Sequence, residues 1–276
     1  MNNKISVITI NYNNRIGLQN TINSVLSQTW KNFEFIIIDG NSTDGSKAII
    51  EAHKQYLTYY VSEPDTGVYN AMNKGIKAAK GDFVFFLNSG DLLYNELVFE
   101  KIQIHLNNDY RIYYGNVIYQ EGSTPVIRTF PDKLTFQFFL KDNINHQACF
   151  IDRHLFYEFF FYNEDYKIVS DWEFLIYVIC NRNIPYKHIS DIISTYDTTG
   201  ISSNINNHEA MTADKNKTFQ KFFPLFIEDY TYLQQLRNKK VEQFLFIKQS
   251  PIGYKILKAC INAILLFLPK FNNTTK

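Results

Sequence analysis

Cysteine is scarce: the three present, Cys149, Cys180 and Cys260, are widely spaced and form no Cys-x-x-Cys pair. That pattern suits thiols used as small apolar residues in a reducing compartment rather than a disulfide framework. Excess charge is lacking as well. With 28 Lys and Arg against 27 Asp and Glu, the net charge is +1, so there is no global attraction for a polyanion and a nucleic-acid partner is not expected. No apolar run reaches the ~20 residues that cross a bilayer. Nor does a basic, apolar and small-residue leader precede Ile5, so a cytoplasmic location is expected. Glycine-rich phosphate loops are also missing. No Gly-x-Gly-x-x-Gly follows the first apolar run, and Asp44-Gly45-Ser46-Lys47 carries its lysine after the serine, the wrong order for a Walker loop. A dinucleotide dehydrogenase or P-loop enzyme is therefore disfavoured. No His-Glu-x-x-His spacing occurs, which argues against zinc.

What is present is a folded α/β chain. Its 276 residues are 45% hydrophobic and 20% charged, enough for one large domain with an appendage and a core of its own. The 24 Phe and 19 Tyr are read mainly as core, although aromatic faces also bind sugars. Ile5–Ile10, Phe33–Ile38, Thr58–Val61 and Phe83–Leu87 are short apolar runs of the kind a sheet covered on both faces requires. Helical stripes alternate with them: Leu18, Ile22 and Val25 after a cap at Asn13 or Asn14, then Ala48, Ile49 and Ala52, then Val68, Met72 and Ile76. This alternation predicts a mostly parallel sheet with helices on both faces. Beyond about Asn95 the rhythm changes. A helix over Glu96–His105 leads to a hairpin, Ile112–Tyr119 with Val126–Phe130 across Glu121-Gly122-Ser123. A strand at Ala148–Ile151, a helix from Ser170 and a strand at Ile189–Tyr196 follow, and only helix is expected from Asn206 onward.

Ligands of open α/β sheets sit beyond the carboxyl ends of the strands. Four polar loops fall there: Asn11-Tyr12-Asn13-Asn14, Asp39–Gly45, Glu63–Gly67 and Asn88-Ser89-Gly90-Asp91. Turn chemistry alone explains any one of them, but four on one edge favour a site. If a nucleotide binds, carboxylates and carboxamides grip its base and ribose, and Asp91 is the candidate ligand for a cation at its phosphates.

Together these loops resemble the family 2 glycosyltransferases, of GT-A fold. The carrying segments are Ser6–Asn13, Ser24–Thr29, Phe33–Asp44, Asp65–Gly75 and Gly81–Asp91, and the likeness spans roughly residues 4–205. Among relatives it is most similar to bacterial enzymes of capsule, colanic-acid and O-antigen assembly. The resemblance implies a catalytic domain over 1–205, with a donor half at about 1–95 and an acceptor half at 96–205, and a helical extension over 206–276. It implies an inverting transfer from a nucleotide-sugar donor, UDP-linked, to a hydroxyl of a glycan or lipid-linked acceptor. Asn11, Tyr12, Asn13, Asp39, Asp65 and Asn73 then fall at nucleotide-binding positions, and Asn88, Ser89, His146 and Trp172 at donor or acceptor contacts. Asp91 matches the last aspartate of the family's Asp-x-Asp, which holds Mg²⁺ or Mn²⁺. Asn88 and Gly90 stand where many relatives have aspartates.

Val169–Phe174 resembles the family's Glu-Asp-Trp-Asp/Glu segment, which makes Asp171 the catalytic base. The alternative is that Asp171 caps its helix, a job worth ~1 kcal/mol. His146-Gln147-Ala148 resembles a stretch near donor and acceptor, with a structural histidine as the other reading. Thr199–Ser202 matches a loop that closes over the diphosphate. Two rival functions remain open: a sugar nucleotidyltransferase and a non-catalytic nucleotide-sugar or glycan binder. The apolar helix after Pro251 docks on the domain or lies on a membrane surface.

Overall fold

The computed structural model describes residues 3–107, 109–120, 125–197, 208–236 and 239–268. Among the described residues nine strands form one sheet: β1 (Ile5–Asn11), β2 (Phe33–Asp39), β3 (Tyr59–Ser62), β4 (Phe83–Phe86), β5 (Leu92–Leu93), β6 (Ile112–Tyr119), β7 (Val126–Arg128), β8 (Cys149–Asp152) and β9 (Tyr186–Tyr196). Their order is β3-β2-β1-β4-β8-β6-β9-β5, with β7 on β6. The helices are α1 (Arg15–Leu26), α2 (Ser46–His53), α3 (Val68–Ala78), α4 (Val98–Gln103), α5 (Phe136–Lys141), α6 (His154–Glu158), α7 (Ser170–Ile176), α8 (His208–Phe222), α9 (Pro224–Leu236), α10 (Lys239–Lys248) and α11 (Pro251–Leu265).

Every residue of β1 and β4 is buried, which is why these strands read as unbroken apolar runs. Two of the polar exceptions, Thr9 and Ser6, bond inside the sheet. Thr9 donates to the Leu87 carbonyl at 2.7 Å, and Ser6 donates to the buried carboxylate of Glu34 at 2.5 Å. Asn14, not Asn13, caps α1, accepting from the Gly17 N–H, and Leu18, Ile22 and Val25 face the core. The aromatics fill the interior, as in the Phe85–Phe150 and Phe156–Phe174 stacks at 4.6 and 4.2 Å.

Strand order positions the site. The chain lays β2 and β3 to one side of β1 and then crosses to place β4 on the other, so β1 and β4 flank the reversal where α/β sheets open a cleft. Strand β8 then runs antiparallel to β4, with Phe85 opposite Phe150. The 3₁₀ turn His146–Ala148 just before β8 therefore lies beside the carboxyl end of β4. In the same way Leu92 pairs with Thr195, which carries Asp197 to Asp91.

The structure departs from the sequence reading in several places. The helix expected over Glu96–His105 is shorter, Val98–Gln103. Strand β9 begins three residues early, at Tyr186. The two-residue β5 and the short α5 and α6 carry too few residues for a period to show. The turn Glu121–Ser123 and the loop Thr199–Ser202 lie outside the described residues. The first compact unit, Met1–Thr218, runs past the expected boundary at 205, because Thr218 and Asp214 of α8 are buried and Thr218 bonds Tyr166 at 3.2 Å. The second unit is Phe219–Lys276.

Glu34 pins β1 to the turn before β4, accepting from Ser6 and from the backbone N–H groups of Lys80 and Gly81. Burial pushes its carboxyl up, but these bonds and the charge of Lys4 outweigh it and hold the carboxyl below its ordinary 4.5. Glu34→Ala leaves the Ser6 hydroxyl and the Lys80 N–H without an acceptor, while the Gly81 N–H keeps the Ser6 oxygen, and is expected to destabilise by at least ~2 kcal/mol in urea unfolding at neutral pH. A depressed folded-state value means this contribution is present above the ordinary carboxyl range and lost as pH falls through the folded-state value. The gap between variant and wild type should narrow on acidification.

Candidate active site

Register brings the first three loops together. Asn11 pairs with Asp39 and Asp39 with Ser62, so the ends of β1, β2 and β3 form one rung. Asp39 is fully buried and accepts four bonds, from the Asn11 carboxamide, the Ser42 hydroxyl and N–H, and the Ser62 hydroxyl. Burial raises its carboxyl, but the bonds from Ser42, Ser62 and Asn11 win and hold it below the ordinary value. A carboxylate offers about four lone-pair sites, and all are taken. Asp39 is thus an internal anchor rather than the open nucleotide contact expected from sequence. Asn11, 1% exposed, shares that inward role.

The open surface lies just beyond. Tyr12 is 68% exposed. A Cβ on Gly40 would sit 2.6 Å from Asp65 Oδ2 and 3.1 Å from the Tyr12 ring, so glycine lets an aromatic face and a half-buried carboxylate border one shallow recess. Asn13 holds its rim, with φ +48° and its carboxamide oxygen accepting from the Thr43 N–H at 2.8 Å. Asn73 is not part of this recess. It is 3% exposed, and its carboxamide is spent on the Tyr162 backbone and on Glu164. Asn73 braces α3 against the segment before α7, which corrects its assignment as a nucleotide contact.

At the end of β4, Gly90 adopts φ +108°, and a Cβ there would meet Asp197 Oδ2 at 2.7 Å. The turn that glycine permits buries Asp91 to 5% exposure, with the Asp197 N–H donating to Asp91 Oδ1 at 2.9 Å. Burial pushes the Asp91 carboxyl up, opposed by the charge of His146 and the Asp197 N–H and aided by the Asp197 carboxylate, to about 7. The Asp91 and Asp197 carboxylates act on one another here, a pairing that suits a hard cation taking oxygen ligands. Among the described residues no group of three or more His, Cys, Asp or Glu forms a cage. Ser89 is fixed through its backbone, its N–H donating to the Ile10 carbonyl at 3.0 Å and its carbonyl accepting from Asn14 at 2.9 Å.

His146 links this loop to α7. Its Nε2 lies 3.1 Å from Asn88 Nδ2, and its Nδ1 lies 3.4 Å from Asp171 Oδ2. The other oxygen, Asp171 Oδ1, accepts from the Tyr69 hydroxyl at 2.9 Å. The cap of α7 falls at Val169 with no side-chain bond, which removes the capping role for Asp171. The partners of His146 are side chains of two candidate residues rather than backbone. Trp172, by contrast, is 1% exposed and donates its indole N–H to the Phe139 carbonyl at 2.8 Å. It is packing beneath the site, not the direct contact expected. Above its ring, 5.0 Å from the centroid, lies the Lys215 ammonium of α8.

Sequence reasoning missed Tyr69, Asp197 and Lys215. Tyr69 lies in the family-like segment Asp65–Gly75 without a role assigned to it, and Lys215 in a helix with no motif. Asp197 had a usable signal, a carboxylate at the end of an apolar strand, but only strand pairing shows that it reaches Asp91. A cavity of about 430 Å³ bordered by Tyr110, Leu134, Cys180 and Tyr186 includes none of the candidate residues.

The sheet with its polar carboxyl edge defines a GT-A fold. The S. aureus TarS 1–349 structure superposes with a TM-score of 0.60 at 20% identity, covering 71% of this chain and 60% of that one. The mannosyltransferase PcManGT of Pyrobaculum calidifontis gives 0.54 at 12%, covering 71% and 57%. Residues 6–166 match the family described as Glycosyl transferase family 2. A PGL/p-HBAD biosynthesis glycosyltransferase of Mycobacterium tuberculosis is 30% identical over 205 residues, 72% of this chain and 78% of the relative. The chain belongs to glycosyl transferase family 2.

Partial burial of the His146 imidazole lowers its proton affinity, but the bond and charge of Asp171 and the charge of Asp91 outweigh this and hold it above its ordinary 6.5. Imidazole titration followed by NMR should therefore place His146 above that value in the wild type. In Asp171→Asn it should fall toward or below it, because burial loses its largest counterweight.

Proposed function

We propose that the chain is an inverting glycosyltransferase that moves a sugar from a UDP-linked donor to a hydroxyl of a glycan or lipid-linked acceptor in surface polysaccharide or glycolipid synthesis. One observation carries this reading: His146 joins Asn88, on the loop that bears Asp91, to Asp171, so a phosphate-end carboxylate and a candidate base border one site. Retention of both carboxylates in that arrangement favours an enzyme over a non-catalytic binder. The ending of β1 in asparagines, without a glycine-rich basic loop, disfavours a nucleotidyltransferase.

The named relatives point the same way. An Escherichia coli protein, UDP-Glc:alpha-D-GlcNAc-diphosphoundecaprenol beta-1,3-glucosyltransferase WfgD, is 29% identical over 208 residues, 72% of this chain and 80% of its own length. TarS has been solved with UDP-GlcNAc, and PcManGT with GDP-Man and Mn²⁺.

In this mechanism the base and ribose occupy the recess of Tyr12, Gly40 and Asp65. Asp171, its two oxygens held by Tyr69 and His146, takes the proton from an acceptor hydroxyl. That oxygen attacks the anomeric carbon as the bond to the diphosphate breaks on the opposite face, which inverts the centre. The nucleoside diphosphate leaves with the bonding pair toward the Asn88–Asp91 loop. Asp91, beside Asp197, would hold Mg²⁺ or Mn²⁺, which would supply Lewis-acid neutralisation of that leaving group, worth on the order of several kcal/mol. Holding the reactants in line contributes ~7–11 kcal/mol, and a positioned base ~10²–10⁴-fold.

Asp171→Asn should lower transfer by at least ~10²-fold while nucleotide binding, measured by calorimetry, stays within twofold of wild type. Unchanged turnover removes the base assignment. Asp91→Ala should weaken UDP binding when Mn²⁺ is present and leave it unchanged in chelator. An equal loss in both conditions makes Asp91 a structural residue only.

A further inference from the structure

The C-terminal unit carries an electrostatic and apolar signature unlike the rest of the chain. Residues 219–276 hold nine Lys and Arg against three Asp and Glu, a net +6, whereas residues 1–218 hold nineteen against twenty-four, a net −5. The near-neutral total conceals this division. Within the described part, α10 and α11 with their flanks, residues 239–268, supply five lysines and a single acid, Glu242.

These helices are also uncovered. No residue of α10 or α11 is buried. Phe246, Ile252, Ile256, Ile264 and Phe267 are between 60% and 88% exposed. At 100° per residue, Lys255, Lys258 and Asn262 fall on one narrow stripe of α11, and Ile252, Ile256 and Ile264 fall on the broad opposite arc. The helix is built to persist: Ser250 caps it, accepting from the Gly253 N–H, and Pro251 opens its first turn. Apolar surface left contiguous and uncovered marks an interaction face.

We propose that α10 and α11 dock on an anionic phospholipid bilayer, with the isoleucine arc of α11 at the acyl boundary and the lysines at the headgroups. Charge selects this occupant. A lysine near an anionic membrane surface contributes about 1 kcal/mol, roughly fivefold in partition, and burial of the isoleucines adds the apolar part. A second copy of the unit would bring +6 against +6, which opposes that alternative. The geometry is interfacial rather than spanning. At ~1.5 Å per residue the 15 residues of α11 fall short of the ~30 Å hydrocarbon core, and among the described residues no helix is long and apolar enough to cross. The sugar-transfer reading is not needed for this inference.

The test is flotation of the full-length protein with vesicles of phosphatidylcholine alone, or of phosphatidylcholine mixed with phosphatidylglycerol, at low and high salt. The wild type should float with the mixed vesicles and at least tenfold more weakly with phosphatidylcholine, and high salt should reduce the difference. Lys255→Gln with Lys258→Gln should lower partition into mixed vesicles about 25-fold. Ile256→Asp with Ile264→Asp should abolish it while UDP binding and far-ultraviolet circular dichroism stay at wild-type levels. Failure of the wild type to float, equal flotation with both vesicle types, or wild-type flotation of either double variant overturns the proposal. So does a lipid-free, concentration-dependent dimer that the isoleucine variant dissolves, which assigns the face to a second copy.

Discussion

The site depends on a bridge made by one imidazole. His146 touches a side chain of the β4 loop through one ring nitrogen and a side chain of α7 through the other. Nearly the whole second half of the sheet serves that placement. Because β8 runs against β4, the turn that precedes it arrives at the carboxyl edge of the parallel strands rather than at their opposite end. A parallel strand at that position would carry His146 to the far side of the molecule. The pairing of β5 with β9 does the same for Asp197.

Three buried carboxylates show how local partners decide what a charge is for. Glu34 and Asp39 are as deeply buried as any acid in the chain, yet hydrogen bonds hold both in the charged form. They are finished interactions, and each ties strands together. Asp91 has one backbone donor and a second carboxylate nearby, so burial dominates and its proton is held up to about 7. Burial with incomplete compensation is the usual state of a group that awaits a ligand. The contrast between Asp39 and Asp91 separates a carboxylate whose bonds are complete from one whose bonds are not, where both lie beside glycine.

Much of the fold was legible because β1, β2 and β4 are covered on both faces and so spell themselves as apolar runs. The antiparallel pairing of β6 with β7 was legible because both strands carry β-branched and aromatic residues. Elements of two to six residues, such as β5 and α6, are fixed by pairing and packing that no local window contains. In the site, motif order located the loops and Asp171, but not which way each side chain faces. Asn73 and Trp172 lie within family-like segments and yet point into the protein, because the Tyr162 backbone and the Phe139 carbonyl offer partners distant in sequence. Tyr69 reaches Asp171, and Lys215 the Trp172 ring, only through the folded chain. The charge division of the C-terminal unit was readable from sequence but hidden by a net charge summed over the whole.

The central claim is that the phosphate end of the donor site and the base share one pocket bridged by His146. Paramagnetic broadening measures this directly: His146 ring signals are recorded as Mn²⁺ and UDP are added, with His53 at the end of α2 as reference. The account predicts that His146 broadens well before His53. A His146 signal that stays as sharp as that of His53 with the ion and nucleotide bound contradicts it.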